Sequence, residues 1–234
     1  MISGFIQDIQ NHPIRYISIY IMVLSVFYIW MTTRVPPLPR NPKHIDAIIN
    51  TFETFDIIHF TCFEYTSYIG KIFQKSAYTH IAMIVKLRGR YYLWEADNHN
   101  DINRPGITLL PMKKIMDDYP TNHYALQKIN IPNDKRERAL KEFDKLYQEL
   151  EGRDFKFSIS LFLNALYKKN IETTETSQDK LFCSELIAET YKRCGLMKDE
   201  LPSWTYTPRD FYFKDIPLEK DISWGEIVPF YVDK

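Results

Sequence analysis

The hydrophobic pattern of the chain changes period several times, and each change marks an element. An uninterrupted apolar and aromatic run spans Tyr16 to Met31. With Thr32 and Thr33 it predicts a helix near the lower length limit for crossing a bilayer. Tyr16, Tyr28 and Trp30 near its ends suit the interfacial aromatic belt. Val35 to Pro42 then carries four prolines in eight residues, which disfavour helix and stiffen the chain into an extended spacer. Ile45, Ile48, Ile49 and Phe52 repeat at helical spacing over 45–55, and Phe55 to Thr61 reads as a strand. A short helix fits Ser67 to Gln74. His80 to Leu87 and Tyr91 to Ala96 are two strands joined by a hairpin turn through Arg88-Gly89-Arg90. Ile107 to Leu110 predicts a strand, Met112 to Tyr119 a short helix, and His123 to Ile131 a strand. Asn133 or Asp134 caps an amphipathic helix running to Leu150, with Leu140, Phe143, Leu146, Tyr147 and Leu150 inward and Gly152 as its stop. Ser158 to Lys168 predicts a helix and Ile171 to Asp179 a polar loop.

The last helix opens at Cys183. Leu186, Ile187, Tyr191 and Cys194 form its apolar stripe, Lys192 and Arg193 fall in the last turn, and Gly195 ends it. Leu201 to Pro208 is a loop and Ile227 to Val232 a closing strand. The sum is an α+β domain, an antiparallel sheet with flanking helices, preceded by one N-terminal transmembrane helix. The predicted organisation is a tail over 1–15, an anchor over 16–33, a proline-rich linker over 34–43 and one domain over 44–234.

Composition narrows the function classes. In 234 residues, 45% are hydrophobic and 26% charged, as in a globular protein with a sizeable core. Lys+Arg and Asp+Glu are both 30, so no basic excess points to nucleic acid, and none is expected as a partner. Cys62, Cys183 and Cys194 are an odd number without short paired spacing, which argues against a complete disulfide framework. Arg34, Arg40 and Lys43 follow the apolar run, whereas Arg15 precedes it with Asp8 nearby. The positive-inside rule then places the C-terminal domain on the cytoplasmic side of a single-pass protein bound to the bilayer through 16–33. The same run also admits a cleaved signal peptide or a buried soluble helix. The sparse basic n-region and the lack of a small-x-small site disfavour the former.

A cysteine on a first helical turn meets unpaired backbone N–H groups and the positive end of the helix dipole, which favour a thiolate. A free cysteine also packs as a small buried hydrophobe, the role expected of Cys62 and Cys194. A thiol nucleophile needs a base, and the base a group that fixes its tautomer. Among six histidines, His80 opens an apolar strand, and Glu95 lies in the next. If Arg88 and Gly89 are the two loop residues, His80 opposes Asp97 and Ala82 opposes Glu95. His80 and Glu95 then share a face as diagonal neighbours about 7–8 Å apart at Cα. A three-residue loop shifts the register by one and sends them to opposite faces. No CxxC or HxxxH spacing supports zinc through His59, Cys62, His80 and Cys183, so neither a metal nor another cofactor is expected. Trp204, Tyr206 and Trp224 are core or cleft-border aromatics.

Four motifs, FDIIHF, YTHIAMIV with His80, YYLWEA with Glu95, and LFCSELIAETY with Cys183, together resemble the circularly permuted papain-like amidase superfamily of NlpC type. That superfamily has bacterial lipoprotein-like, poxvirus and lecithin:retinol acyltransferase-like members. The resemblance spans roughly Phe55 to Leu196, with GRDFKF and Asp154 as a further landmark. Phe55 departs from it, since many relatives have glycine there. The resemblance implies a permuted papain-like fold with Cys183 as nucleophile, His80 as general base and acid, and Glu95 as the residue that orients His80. It also implies a peptide-amide or acyl-lipid substrate, turned over through a thioester by hydrolysis or acyl transfer. A catalytically inactive member with a binding or structural role, for example in a virion, is the alternative.

Overall fold

The computed structural model describes residues 13–34, 37–61, 71–72, 74–97, 106–155, 180–181 and 183–233. The expected helix over 158–168, the loop over 171–179, Cys62 and most of the 67–74 helix lie outside them. Helix α1 (Pro13–Arg34) contains the apolar run, and Ile17, Ile21, Met22, Val23 and Leu24 on it are exposed. Over the described residues, no helix is long and apolar enough to cross a membrane.

The mixed α+β architecture is built on one seven-stranded sheet. Its strands are β1 (Lys43–His44), β2 (Ile57–Phe60), β3 (His80–Leu87), β4 (Arg90–Asp97), β5 (Gly106–Pro111), β6 (His123–Asn130) and β9 (Ser223–Tyr231), in the order β1-β9-β6-β2-β3-β4-β5. All neighbours are antiparallel except β1 and β9, which run parallel. The expected antiparallel sheet is thus mixed at one edge. A parallel ribbon of β7 (Asp154–Phe155) and β8 (Lys180–Leu181) stands beside it. The closing strand begins at Ser223, four residues before the predicted Ile227, because Trp224 continues the ladder opposite Ile129 past a register shift in β6.

Strand alternation divides the core into two layers. Ile57, Ile81, Met83, Val85, Trp94 and Ala96 face helices α3 (Asn133–Leu150) and α4 (Cys183–Arg193). Ile58, Phe60, Ala82, Ile84 and Leu93 face α2 (Met112–Asp118) and the turns before β2. The Trp94 indole donates to Thr190 Oγ1 at 3.1 Å, which pins α4 to the first layer. Each fully buried Leu186, Ile187 or Tyr191 side chain on α4 contributes roughly 1.5–3 kcal/mol of burial.

Several elements depart from expectation for local reasons. The helix predicted over 45–55 is two 3-10 turns, Ile45–Ala47 and Ile49–Thr51. The segment is rich in β-branched residues, and Thr51 Oγ1 donates to the Ile48 carbonyl at 2.7 Å, an alternative to the helical ladder. Neither Asn133 nor Asp134 caps α3. Pro132 occupies the cap position without a side-chain bond, and both are already helical. Of the stripe predicted inward on α3, Leu140 is exposed and Ala139 is buried instead. The loop expected over 201–208 contains a 3-10 turn, Ser203–Thr205, and leads into an unpredicted helix α5 (Pro208–Tyr212). A capping box builds α5: Thr207 N and Oγ1 both lie 2.8 Å from Asp210 Oδ2, and Pro208 stands at the first helical position. Thr207-Pro208-Arg209-Asp210 was a legible signal for it.

Phe55 stands where the resemblance expects glycine, and its φ is +80°. That is the left-handed region glycine enters without steric cost. The phenylalanine is held there by its N–H to the Ile84 carbonyl at 3.0 Å, by the Tyr191 hydroxyl donating to its carbonyl, and by complete burial against Phe143.

Candidate active site

The β3–β4 turn sets the first contact. Arg88 and Gly89 have φ of +50° and +75°, the pair of left-handed residues that a two-residue type I′ turn requires. The ladder pairs Leu87 with Arg90 and continues to Met83 with Trp94. This is the two-residue register, and it places His80 and Glu95 on one face. His80 Nε2 lies 3.0 Å from Glu95 Oε2. An ionised carboxylate only accepts, so Nε2 carries the proton and Nδ1 is the basic nitrogen of the neutral ring. His80 is 7% exposed and Glu95 fully buried, which strengthens the charge-assisted bond when the ring is protonated.

The rings around His80 come from elsewhere in the fold. Phe60, its cross-strand partner, meets it edge-on at 5.1 Å, and Tyr119, just beyond α2, stacks on it at 5.4 Å and 22°. Phe60 lies in a strand and Tyr119 at a helix end, and only the docking of α2 on the sheet brings them to one imidazole.

Cys183 reaches the same end of the sheet by another route. β5 pairs with β4 through Asp97 to Gly106 and Ala96 to Ile107. Ile107 N donates to the Arg153 carbonyl at 2.8 Å, and Gly152 N to the Ile107 carbonyl at 2.9 Å. These bonds dock the β7–β8 ribbon beside the start of β5. Two residues past Leu181, Cys183 opens α4 as a half-buried free thiol. The helix then runs inward until Thr190 meets Trp94. Cys183, His80 and Glu95 therefore occupy one end of the sheet. They do not share a face: α4 packs on the Trp94 layer, whereas His80 and Glu95 lie on the Phe60 layer.

The other cysteine and histidine candidates separate from this trio. Cys194 is buried on α4 and its thiol is pushed up to about 12, first by desolvation and then by the Glu142 charge, so it is a packing residue. His59 projects to the opposite face from its strand neighbour Phe60. It is fully buried between Tyr78 and Tyr212, with Nε2 2.6 Å from Gln127 Oε1 and, among the described residues, no hydrogen-bond partner at Nδ1. Burial lowers its ring to about 4, the Gln127 bond opposing the shift. Since His59 and His80 point to opposite faces, they do not converge on one ion. Among the described residues, no three His, Cys, Asp or Glu side chains form a group able to hold a metal. Tyr206 is buried in the core, and Trp224 packs against the same core half-buried.

The fold and site define an α+β domain with a buried histidine–carboxylate pair at the sheet end where a cysteine opens a helix. No protein-family model matches the chain. It is 24% identical over 232 residues to "Uncharacterized protein R372" of Acanthamoeba polyphaga mimivirus, a match covering 88% of this chain and 92% of that protein. Among solved structures it is similar to the metalloprotein yiiX from Escherichia coli O157:H7, DUF1105, at 18% identity and a TM-score of 0.47, over 74% of this chain and 96% of that one.

Proposed function

We propose that the chain is a membrane-anchored thiol hydrolase or acyltransferase of permuted papain-like type, with Cys183 as nucleophile, His80 as base and Glu95 orienting it. The observation that carries this reading is the buried 3.0 Å His80–Glu95 pair, at the sheet end where α4 begins. The pair fixes Nδ1 as the nitrogen that takes the thiol proton. The Cys183 thiolate attacks an acyl carbonyl, and the backbone N–H of Cys183 stabilises the oxyanion. The imidazolium returns its proton to the departing amine or alcohol, leaving a thioester on Cys183. Water or an acceptor hydroxyl, deprotonated by His80, attacks the thioester and frees the acyl group. The substrate class is a peptide amide or an acyl lipid. The anchor rests on the Tyr16–Met31 run and the exposed apolar side chains of α1.

The test is alkylation of the full chain in detergent at neutral pH, read at peptide level by mass spectrometry. Cys183 reacts well ahead of Cys194 and of a denatured-state thiol, and His80→Ala slows it. The opposed faces of α4 and the His80–Glu95 pair favour a second reading, a catalytically silent binding or structural protein. Under that reading Cys183 reacts at the denatured-state rate, and His80→Ala changes nothing.

A further inference from the structure

We propose that Tyr119 is a positioning residue for His80, holding the plane of the imidazole and favouring its protonated form. The proposal rests on the reading of His80 as the base for Cys183. The hydrogen bond from Nε2 to Glu95 fixes one atom of the ring, and a flat contact on the ring face bears on its plane. The Tyr119 ring lies nearly parallel over it, 5.4 Å away at 22°. The edge-on Phe60 contact at 5.1 Å and 67° completes the clamp.

The clamp is itself anchored. Tyr119 and Phe60 touch at 4.7 Å, and Phe60 meets Tyr124 at 5.2 Å. The Tyr124 hydroxyl donates to the carbonyls of Met116 and Thr121 at 3.2 and 2.9 Å. The Tyr119 N–H closes α2 on the Ile115 carbonyl at 3.0 Å. Tyr119 is therefore tied to the end of α2 by its backbone and, through Phe60, to the anchored Tyr124 ring. The negative face of a phenol ring attracts an imidazolium more than a neutral imidazole. An aligned ring with a stabilised charge is what a thiolate–imidazolium pair needs from its base.

The experiment compares wild type, Tyr119→Phe and Tyr119→Leu as full-length protein in detergent, with iodoacetamide as the probe of Cys183 and His80 followed by ring-nitrogen NMR. Tyr119→Phe keeps the ring face and stays within about twofold of the wild-type alkylation rate. Tyr119→Leu fills similar space without a π face. It reacts about three- to tenfold more slowly at neutral pH, and the acid limb of its rate–pH profile moves to higher pH. The fraction of His80 protonated at a fixed pH also falls. Tyr119→Met serves if leucine prevents folding. A residue that only fills space leaves the acid limb and the protonated fraction where they were, and that result overturns the proposal whatever Cys183 does. A lowered protonated fraction beside an unreactive Cys183 upholds the Tyr119 contact and removes the thiol reading instead.

Discussion

Replacing Phe55 separates two opposed terms at one position. The side chain is fully buried and its φ is +80°. Removing a buried phenyl group costs about 3–5 kcal/mol, whereas relieving the left-handed strain of an L-residue returns about 1–2 kcal/mol. Glycine adds back roughly 0.5–1 kcal/mol of backbone entropy. Phe55→Gly is therefore expected to lose about 2–4 kcal/mol. Phe55→Ala loses the same packing and keeps the strain, so it should be less stable than Phe55→Gly by about 1 kcal/mol. The ordinary preference for alanine over glycine is inverted at this site. Equilibrium urea unfolding of the three proteins, followed by tryptophan fluorescence, measures the order Phe, then Gly, then Ala. An alanine variant as stable as the glycine variant would show that the positive φ does not govern the position.

Two further outcomes follow from the geometry. His59 is depressed to about 4 by burial, below its unfolded value of about 6.5. The unfolded state therefore binds the extra proton first, and the stability tied to neutral His59 is full above about pH 6.5 and lost as pH falls towards about 4. The loss is on the order of 3 kcal/mol between pH 7 and pH 4. Urea unfolding of His59→Gln should show a pH slope flatter by that amount, and an unchanged slope would remove His59 as the cause. Deleting residues 1–34 should leave the domain in the dense fraction on membrane flotation; continued flotation with the vesicles would refute the single anchor.

Much of the site was legible because its spacing is local. The hairpin through Arg88-Gly89-Arg90 follows from its local turn residues; of the two registers it allows, the structure takes the two-residue one, and the period of two in β3 and β4 then puts His80 and Glu95 on one face. Gly195 as the stop of α4, with φ +65°, is legible for the same reason. The 3-10 turns at 45–51 were not, because apolar spacing alone does not register the competition from Thr51. The α5 capping box is carried by four consecutive residues, Thr207 to Asp210, and is local in the same way.

By itself the sequence determined the β3–β4 hairpin, the helix start at Cys183 and the apolar run of α1, since each depends on residues within one or two turns of one another; the choice between a two- and a three-residue turn was left to the structure. Tertiary structure decided which layer each element joined. It brought Tyr119 and Phe60 onto His80 and sealed His59 beneath Tyr212. It set α4 on the face opposite the His80–Glu95 pair and gave Phe55 enough buried contact to hold a glycine conformation. These outcomes depend on packing between residues tens of positions apart, where side-chain volume and backbone docking act together and no local period carries the information.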